Sequence, residues 1–211
     1  MTRDEVVALI ALRLGNRTDQ DTNIVNELKY VQTKMEEMSE LPWFMLSAWE
    51  SIPTIASQDY VDLPSDFLLE WEQGTLQLLD PDSGEYIPLT KDEYQFLHNK
   101  YRDEDAAQPK AYALVGATYA LFPTPDIVYT MRHRFFEADT VLSTNVENDW
   151  LKYAPDVFLN RAGMTMAQNL RDKDALSAFT AEYGDALKRM WDKDEARKSA
   201  GIEYVMGGVD A

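Results

Sequence analysis

Apolar residues recur at helical spacing near the start of the chain, where two helices are predicted. The first covers residues 4–14, and Gly15 with Asn16 provides a favourable C-terminal stop. Either Asp19 or Asp21 can cap the second, whose apolar positions step by four and three: Ile24, Leu28, Val31, Met35 and Met38. This helix ends before Pro42, because a residue that precedes proline avoids the α conformation.

The C-terminal third shows the same helical periodicity. Pro155 suits the first turn of a helix, and the stripe after it consists of Phe158, Ala162, Met166 and Leu170. After a polar turn at 171–174, a second stripe consists of Leu176, Phe179, Tyr183, Leu187 and Met190. The two stripes predict a helical hairpin, and the charged and then glycine-rich sequence from residue 193 predicts an extended tail.

Between these regions apolar and polar residues alternate, as they do in β-strands. Residues 112–135 predict a strand, a tight turn at Gly116, a strand, a proline corner at 122–126 and a further strand. Upstream, short strands are predicted at 52–55, 60–63, 67–71, 75–79 and 86–89, with a turn at 80–84. One short helix over 91–100 is predicted to be capped by Thr90. Trp43, Phe44 and Trp49 predict a single aromatic cluster where helix gives way to sheet.

Together these patterns predict an α+β fold. It consists of a helical bundle, formed by two N-terminal helices and a C-terminal αα-hairpin, with an inserted antiparallel β-rich lobe and an extended C-terminal tail. The helical core covers residues 1–45 and 150–192, the β-rich lobe covers 46–149, and the tail covers 193–211.

Charge narrows the range of partners. The chain has 37 acidic and 20 basic residues and a net charge of −17, opposite in sign to a protein that holds DNA through its phosphates. The acidic surface either provides solubility or forms a wall that stays near DNA without binding it, and charge alone does not choose between them. The absence of cysteine fits folding in a reducing cytoplasm, and no apolar run is long enough to predict a membrane span.

The sequence offers little catalytic or metal-binding chemistry. His98 and His133 lie 35 residues apart without ligand spacing. The loop with Asp80, Asp82 and Glu85 departs from the EF-hand pattern, so we predict a hairpin turn there. Common nucleotide-binding and hydrolase motifs are absent. We therefore predict no catalytic, cofactor-binding or metal site, and no enzyme activity.

Arg132 and Arg134 are the main basic feature of the β-rich region. Two interpretations stay open. The first is a solvent-facing side of a strand, with His133 turned to the other face. The second is a patch that pairs with acidic neighbours at an intersubunit or tail-facing contact.

The order of these features resembles a family of viral assembly proteins. The corner at 60–67 contains Leu-Pro-Ser-Asp-Phe, the corner at 122–126 contains Pro-Thr-Pro-Asp, and residues 142–150 lead into the C-terminal helices. In this order and spacing, nearly the whole chain resembles the head-to-tail adaptor (connector) proteins of tailed bacteriophages. The resemblance implies a structural virion protein, made in the host cytoplasm and placed in the neck, that joins the DNA-filled head to the tail.

The resemblance also implies partners. These are the portal protein, other copies of the chain in a dodecameric ring, a downstream tail or nozzle protein, and double-stranded DNA that passes through without specific binding; no membrane is involved. The resemblance assigns portal binding to these residues of the tail: Ile202, Tyr204, Val205, Met206 and Val209. Two alternatives are an acidic DNA-mimic inhibitor of a nucleic-acid-binding protein and, less favoured, a tail-associated acidic hydrolase, which needs a carboxylate of raised pKa in a pocket.

Overall fold

The fold is seen in a computed structural model that describes residues 1–71 and 75–199. It contains two compact units: Met1–Met45 together with the chain from Ala138 onward, here called the helical unit, and Leu46–Glu137, called the β lobe. The predicted α+β fold class is confirmed. The chain returns to the helical unit after residue 137, whereas the sequence pattern placed this boundary after residue 149. None of the helices within the described ranges combines the length and apolar character needed to cross a bilayer.

The helices of the helical unit begin where the sequence supplies caps or permissive residues. Thr2 and Glu5 form a capping box at the first helix, Asn148 caps the short helix that follows it, and Pro155 occupies the first turn of the next. The helices are α1 (Arg3–Arg13), α2 (Asp21–Glu36), α4 (Asp149–Tyr153), α5 (Pro155–Leu170) and α6 (Lys173–Ser199), with α3 in the β lobe.

Helix α5 is central to this unit, since it packs against α1, α2, α4 and α6. Its buried face contains Phe158, Ala162 and Met166, as its stripe predicts. At Gly163, the ring of Phe179 from α6 occupies the space that a Cβ would need. The predicted αα-hairpin is therefore confirmed, and Arg171 in its turn has a left-handed backbone with φ 58°.

Four of the five predicted stripe positions of α2 are confirmed, whereas Met38 lies beyond the end of the helix at Glu36, and the predicted cap is wrong. Ile24, Leu28, Val31 and Met35 are buried. Gln20 occupies the cap position, and its side chain accepts no hydrogen bond from the backbone of the first turn, so neither Asp19 nor Asp21 caps this helix. The reason is local, because a 3₁₀ turn over Thr18–Gln20 leads directly into α2.

The β lobe is built from short strands and one helix. They are β1 (Glu50–Pro53), β2 (Tyr60–Asp62), β3 (Phe67–Glu70), β4 (Leu76–Leu79), β5 (Tyr86–Pro88), β6 (Thr90–Lys91), α3 (Tyr94–Tyr101), β7 (Ala111–Val115), β8 (Thr118–Phe122), β9 (Thr130–His133) and β10 (Phe135–Glu137). One sheet has the order β1-β9-β4-β5, a second has the order β2-β8-β7-β6, and β10 pairs with β3. The pairs are antiparallel except β6 with β7.

The predicted hairpin and both proline corners are present. Strands β7 and β8 pair around Gly116, whose φ of 59° glycine adopts without steric cost. The corner at 122–126 separates β8 from β9, and the Phe122–Pro123 peptide is cis. After this corner the chain passes to the other sheet, where the backbone of β9 pairs with β1 and β4.

The main core of the β lobe draws residues from both sheets. Its members are Val61, Leu76, Leu78, Leu89, Tyr112, Tyr119, Leu121, Tyr129 and Met131. Since successive side chains of a strand point to opposite faces, the burial of Met131 directs Arg132 away from this core. That face of the sheet carries the candidate interaction site.

Two further local predictions are wrong. Thr90 does not cap α3, because Thr90 and Lys91 form β6, which pairs with β7; the helix begins at Tyr94 after Glu93. The predicted tail also starts too early, since α6 continues through residues 193–199. The charged residues there suit a helix as well as a tail.

The predicted aromatic cluster is divided. Trp43 and Phe44 both contact Tyr153 in the helical unit, with ring centroids 4.8 and 5.3 Å apart. Trp49 instead contacts Trp71 in the β lobe, with centroids 6.0 Å apart. Trp43 and Phe44 therefore form one aromatic contact and Trp49 forms another, although the three residues are close together in the sequence.

Candidate functional site

Arg132 lies at the centre of a row of aromatic residues on the β lobe. Its guanidinium carbon is 4.4 Å from the ring centroid of Trp49 and 3.9 Å from that of Tyr86, within the range of a cation–π contact. Its Nε donates a 2.9 Å hydrogen bond to Gln77 Oε1. Trp71 extends the row through its contact with Trp49. We call these residues the aromatic–arginine row.

Strand pairing brings this row together from distant parts of the chain. Gln77 of β4 is the register partner of Arg132 on β9. Leu79, two residues further along β4 and therefore on the same face, pairs with Tyr86 of β5. Arg132 and Gln77 are 55 residues apart in the sequence. The sequence pattern identified Arg132 but missed Gln77, Trp71 and Tyr86, because their proximity depends on which strands pair, and no local signal encodes that.

Arg134 has a different environment. It is 3% exposed, its Nε donates to the Ser47 carbonyl at 2.9 Å, and its guanidinium lies 5.2 Å from the ring centroid of Trp71. A side chain so buried does not form a solvent-facing side of a strand. The basic feature available at the surface is therefore Arg132, which is half-buried.

The two histidines occupy unrelated positions. His133 is 2% exposed among the rings of Tyr119 and Phe135, and burial lowers its pKa, although the Glu50 carboxylate 3.5 Å from Nε2 opposes this shift. His98 is exposed on α3 beside Tyr94. Residues 1–71 and 75–199 contain no group of three or more His, Asp or Glu placed to hold a metal ion.

The acidic loop after β4 is a hairpin turn, as predicted. The Gly84 N–H donates to the Asp80 carbonyl at 2.9 Å, and Asp80 Oδ2 accepts a 2.7 Å hydrogen bond from the Ser83 hydroxyl. This hydrogen bond lowers the pKa of Asp80. The carboxylate therefore stabilises the turn.

Two carboxyl groups of raised pKa lie in the helical unit. Burial raises the pKa of Glu36 and of Asp139. Glu36 Oε1 accepts from Gln32 Nε2 at 2.9 Å and from the Asp139 N–H at 3.3 Å, while Asp139 Oδ2 accepts from the Trp150 N–H at 3.0 Å. These bonds fasten the segment before α4 to α2, which gives both carboxylates a structural role.

A groove of about 490 Å³ lies between α1 and the start of α2. Val7, Ala11 and Val25 line it, together with Asp4 and Asp21. Asp4 is bound to the Arg3 guanidinium, and this hydrogen bond lowers its pKa. Glu36 and Asp139, the carboxyl groups whose pKa burial raises, do not line this groove.

The last described turns of α6 are held in place by Trp43. The Trp43 backbone N–H donates to Asp194 Oδ1 at 2.8 Å, and the Arg197 guanidinium carbon lies 3.5 Å from the Trp43 ring centroid. The residues predicted to bind the portal lie beyond this point, outside the described residues: Ile202, Tyr204, Val205, Met206 and Val209.

Comparison with known proteins establishes the family. The family described as SU10 adaptor protein matches residues 1–204 of the chain. The chain belongs to this family. No protein of curated function matches the sequence significantly.

Membership makes the adaptor a structural component of a bacteriophage virion. Such a protein interacts with other virion components, among them the portal and the tail. Structural adaptor families of this kind are typically non-enzymatic. The features that carry the resemblance, two helical regions around a β-rich lobe with two proline corners, thus indicated the right family.

Proposed function

We propose that the adaptor forms a twelve-membered ring beneath the portal and joins the DNA-filled head to the tail. The match over residues 1–204 carries this proposal, because it covers the helical unit and the β lobe together. A ring requires heterologous contacts between two different surfaces of each subunit. The opposite end of the ring would bind the next tail or nozzle protein, which places the adaptor in the neck.

Electron microscopy of the adaptor mixed with its portal protein tests this proposal. We expect one ring of subunits on the tail-facing end of the portal, and class averages give the subunit number. Portal particles that stay bare at high adaptor concentration would refute portal binding. Binding without a closed ring would refute the ring.

We further propose that helices of the ring surround the DNA exit channel. Helix α6 suits this position because its sequence contains six acidic and six basic residues, so it offers phosphates no net positive charge. DNA could then slide past without being retained. The excess acidity lies mainly on the β lobe, where residues 46–137 contain 16 acidic and 6 basic residues.

Charge reversal on α6 tests the channel. Asp185 and Asp192 are exposed, and changing both to lysine adds four positive charges per subunit, which should slow genome ejection from assembled virions. The matched control, Asp185→Asn with Asp192→Asn, adds two charges without creating cations and should have a smaller effect. An unchanged ejection rate in the lysine variant would contradict a channel position for α6.

The segment 202–209 is proposed to bind the portal. Deletion of residues 200–211 removes this segment and leaves every residue of the described helices and strands. We expect an unchanged circular dichroism spectrum and melting temperature together with loss of portal binding. A truncated protein that still assembles on portals would show that the segment is dispensable for binding.

A further inference from the structure

We propose that Arg132, held between Trp49 and Tyr86, is the residue through which the β lobe binds a carboxylate of a second copy of the adaptor. The inference rests on the proposed ring, and it names the contact that would hold neighbouring subunits together.

The Arg132 guanidinium is oriented before any partner arrives. Trp49 and Tyr86 lie 4.4 and 3.9 Å from its carbon, and Gln77 accepts from its Nε. Its two terminal nitrogens make no hydrogen bond to any residue within 1–71 and 75–199. A planar fork with two free nitrogens matches the two oxygens of a carboxylate, and an immobilised side chain loses little entropy on binding.

The surroundings favour a carboxylate of a protein over the phosphates of DNA. The β lobe has 16 acidic residues against 6 basic ones. Two of the basic residues are engaged locally, since Arg134 is buried and Lys91 pairs with Glu70. Binding to a polyanion requires several cations in a row, whereas one oriented arginine suffices for one carboxylate.

A second copy is the partner whose chemistry fits best. Each copy brings 37 acidic residues, so a neighbouring subunit presents many carboxylates to a surface where free cations are scarce. Tryptophan, tyrosine and arginine are also the residues most enriched at the energetic centres of protein interfaces. The aromatic–arginine row contains all three, arranged around a single available charge.

Substitution of Arg132 tests the proposal on adaptor assembled with its portal. Arg132→Gln should weaken association between subunits by about ten- to hundredfold, measured by native mass spectrometry during dilution. Arg132→Lys keeps the charge but loses the planar fork, and should give an intermediate loss. Arg102→Gln makes the same charge change at an exposed position of the lobe and should assemble like the wild type.

A second measurement avoids any variant that might not fold. The chain has no cysteine, so Ser51→Cys carries a single thiol-linked photo-crosslinker on exposed β1, directly opposite Arg132 in the sheet register. We expect cross-links to a segment of a second copy that contains Asp or Glu. Ser65→Cys, at an exposed position of the β2–β3 corner, is the control for proximity.

The outcomes separate this inference from the proposed function. Association between subunits that is as tight in Arg132→Gln as in the wild type, or a Ser51 probe that labels only the portal or a tail protein, would overturn the carboxylate contact and leave the ring intact. Wild-type adaptor that binds portals without forming a ring, and whose Ser51 probe finds no second copy, would overturn both.

Discussion

Gly163 offers a direct test of the packing between α5 and α6. The Cβ introduced by Gly163→Ala would lie 2.5, 2.6 and 2.7 Å from three carbon atoms of the Phe179 ring. Non-bonded carbon atoms settle about 3.5–4.0 Å apart, so the overlap is close to one ångström. Phe179 is 2% exposed, and its ring therefore has little room to withdraw.

The expected size of the effect follows from two opposing contributions. Overpacking of a core costs about 1–3 kcal/mol, whereas replacing glycine by alanine inside a helix gains about 1 kcal/mol at most. We therefore expect the free energy of unfolding to fall by about 1–2 kcal/mol in Gly163→Ala. In a protein of this size, each kcal/mol lowers the melting temperature by about 2–4 °C.

Urea denaturation followed by circular dichroism measures this change, and α6 provides a matched control. No atom lies within 4 Å of the Cβ position at Gly184, so Gly184→Ala should stabilise the protein by about 0.5–1 kcal/mol. Adding Phe179→Leu to Gly163→Ala should recover part of the loss, because leucine is smaller. If both alanine variants were equally stabilised, the close packing of α5 against Phe179 would be refuted.

Three further predictions concern the polar contacts of the helical unit. Asp194→Ala should lower the free energy of unfolding by about 1–3 kcal/mol, because the Trp43 N–H loses its acceptor 2.8 Å away; Asp194→Asn keeps an oxygen there and should lose less in the same urea titration. Burial raises the pKa of Glu36 and Asp139, so these two groups bind protons more tightly in the folded state than in the unfolded state. Their contribution to the free energy of unfolding is therefore greatest at low pH, and it is lost as the pH rises through the raised pKa values. Glu36→Gln should therefore flatten the rise in melting temperature as the pH is lowered towards the ordinary carboxyl pKa of about 4.3, and an unchanged slope would contradict this assignment. Asn148→Ala should cost about 0.5–2 kcal/mol in thermal melts, because the Leu151 N–H loses its cap at 3.0 Å. Asn148→Asp retains this acceptor but loses the Nδ2 donor to the Thr140 carbonyl, so it should recover only part of the loss.

Local sequence patterns predicted much of the fold. The stripes of α2 and α5 are correct because helical periodicity depends on residues three and four apart, and the Gly116 turn is correct because its backbone conformation favours glycine. These features are decided within a few residues. Their order along the chain was enough to indicate the family.

The errors arise where distant segments compete for the same residues. Thr90 has the chemistry of a helix cap, but pairing of β6 with β7 places it in a strand. Arg134 alternates with His133 and Phe135 in the sequence, yet Trp71 and the Ser47 carbonyl enclose it. The site was hardest to predict for the same reason, since three strands must pair before Arg132 meets Gln77 and Tyr86.

The chain enters and leaves the β lobe at neighbouring positions. Leu46 and Phe136 form an isolated β-bridge, and beside it the Ser47 N–H donates to the Phe135 carbonyl at 2.8 Å. Because the two ends of the lobe lie together, another domain with adjacent termini could replace it between α2 and α4. The surface of the β lobe can therefore diversify while the sequence constraints on the helices stay unchanged.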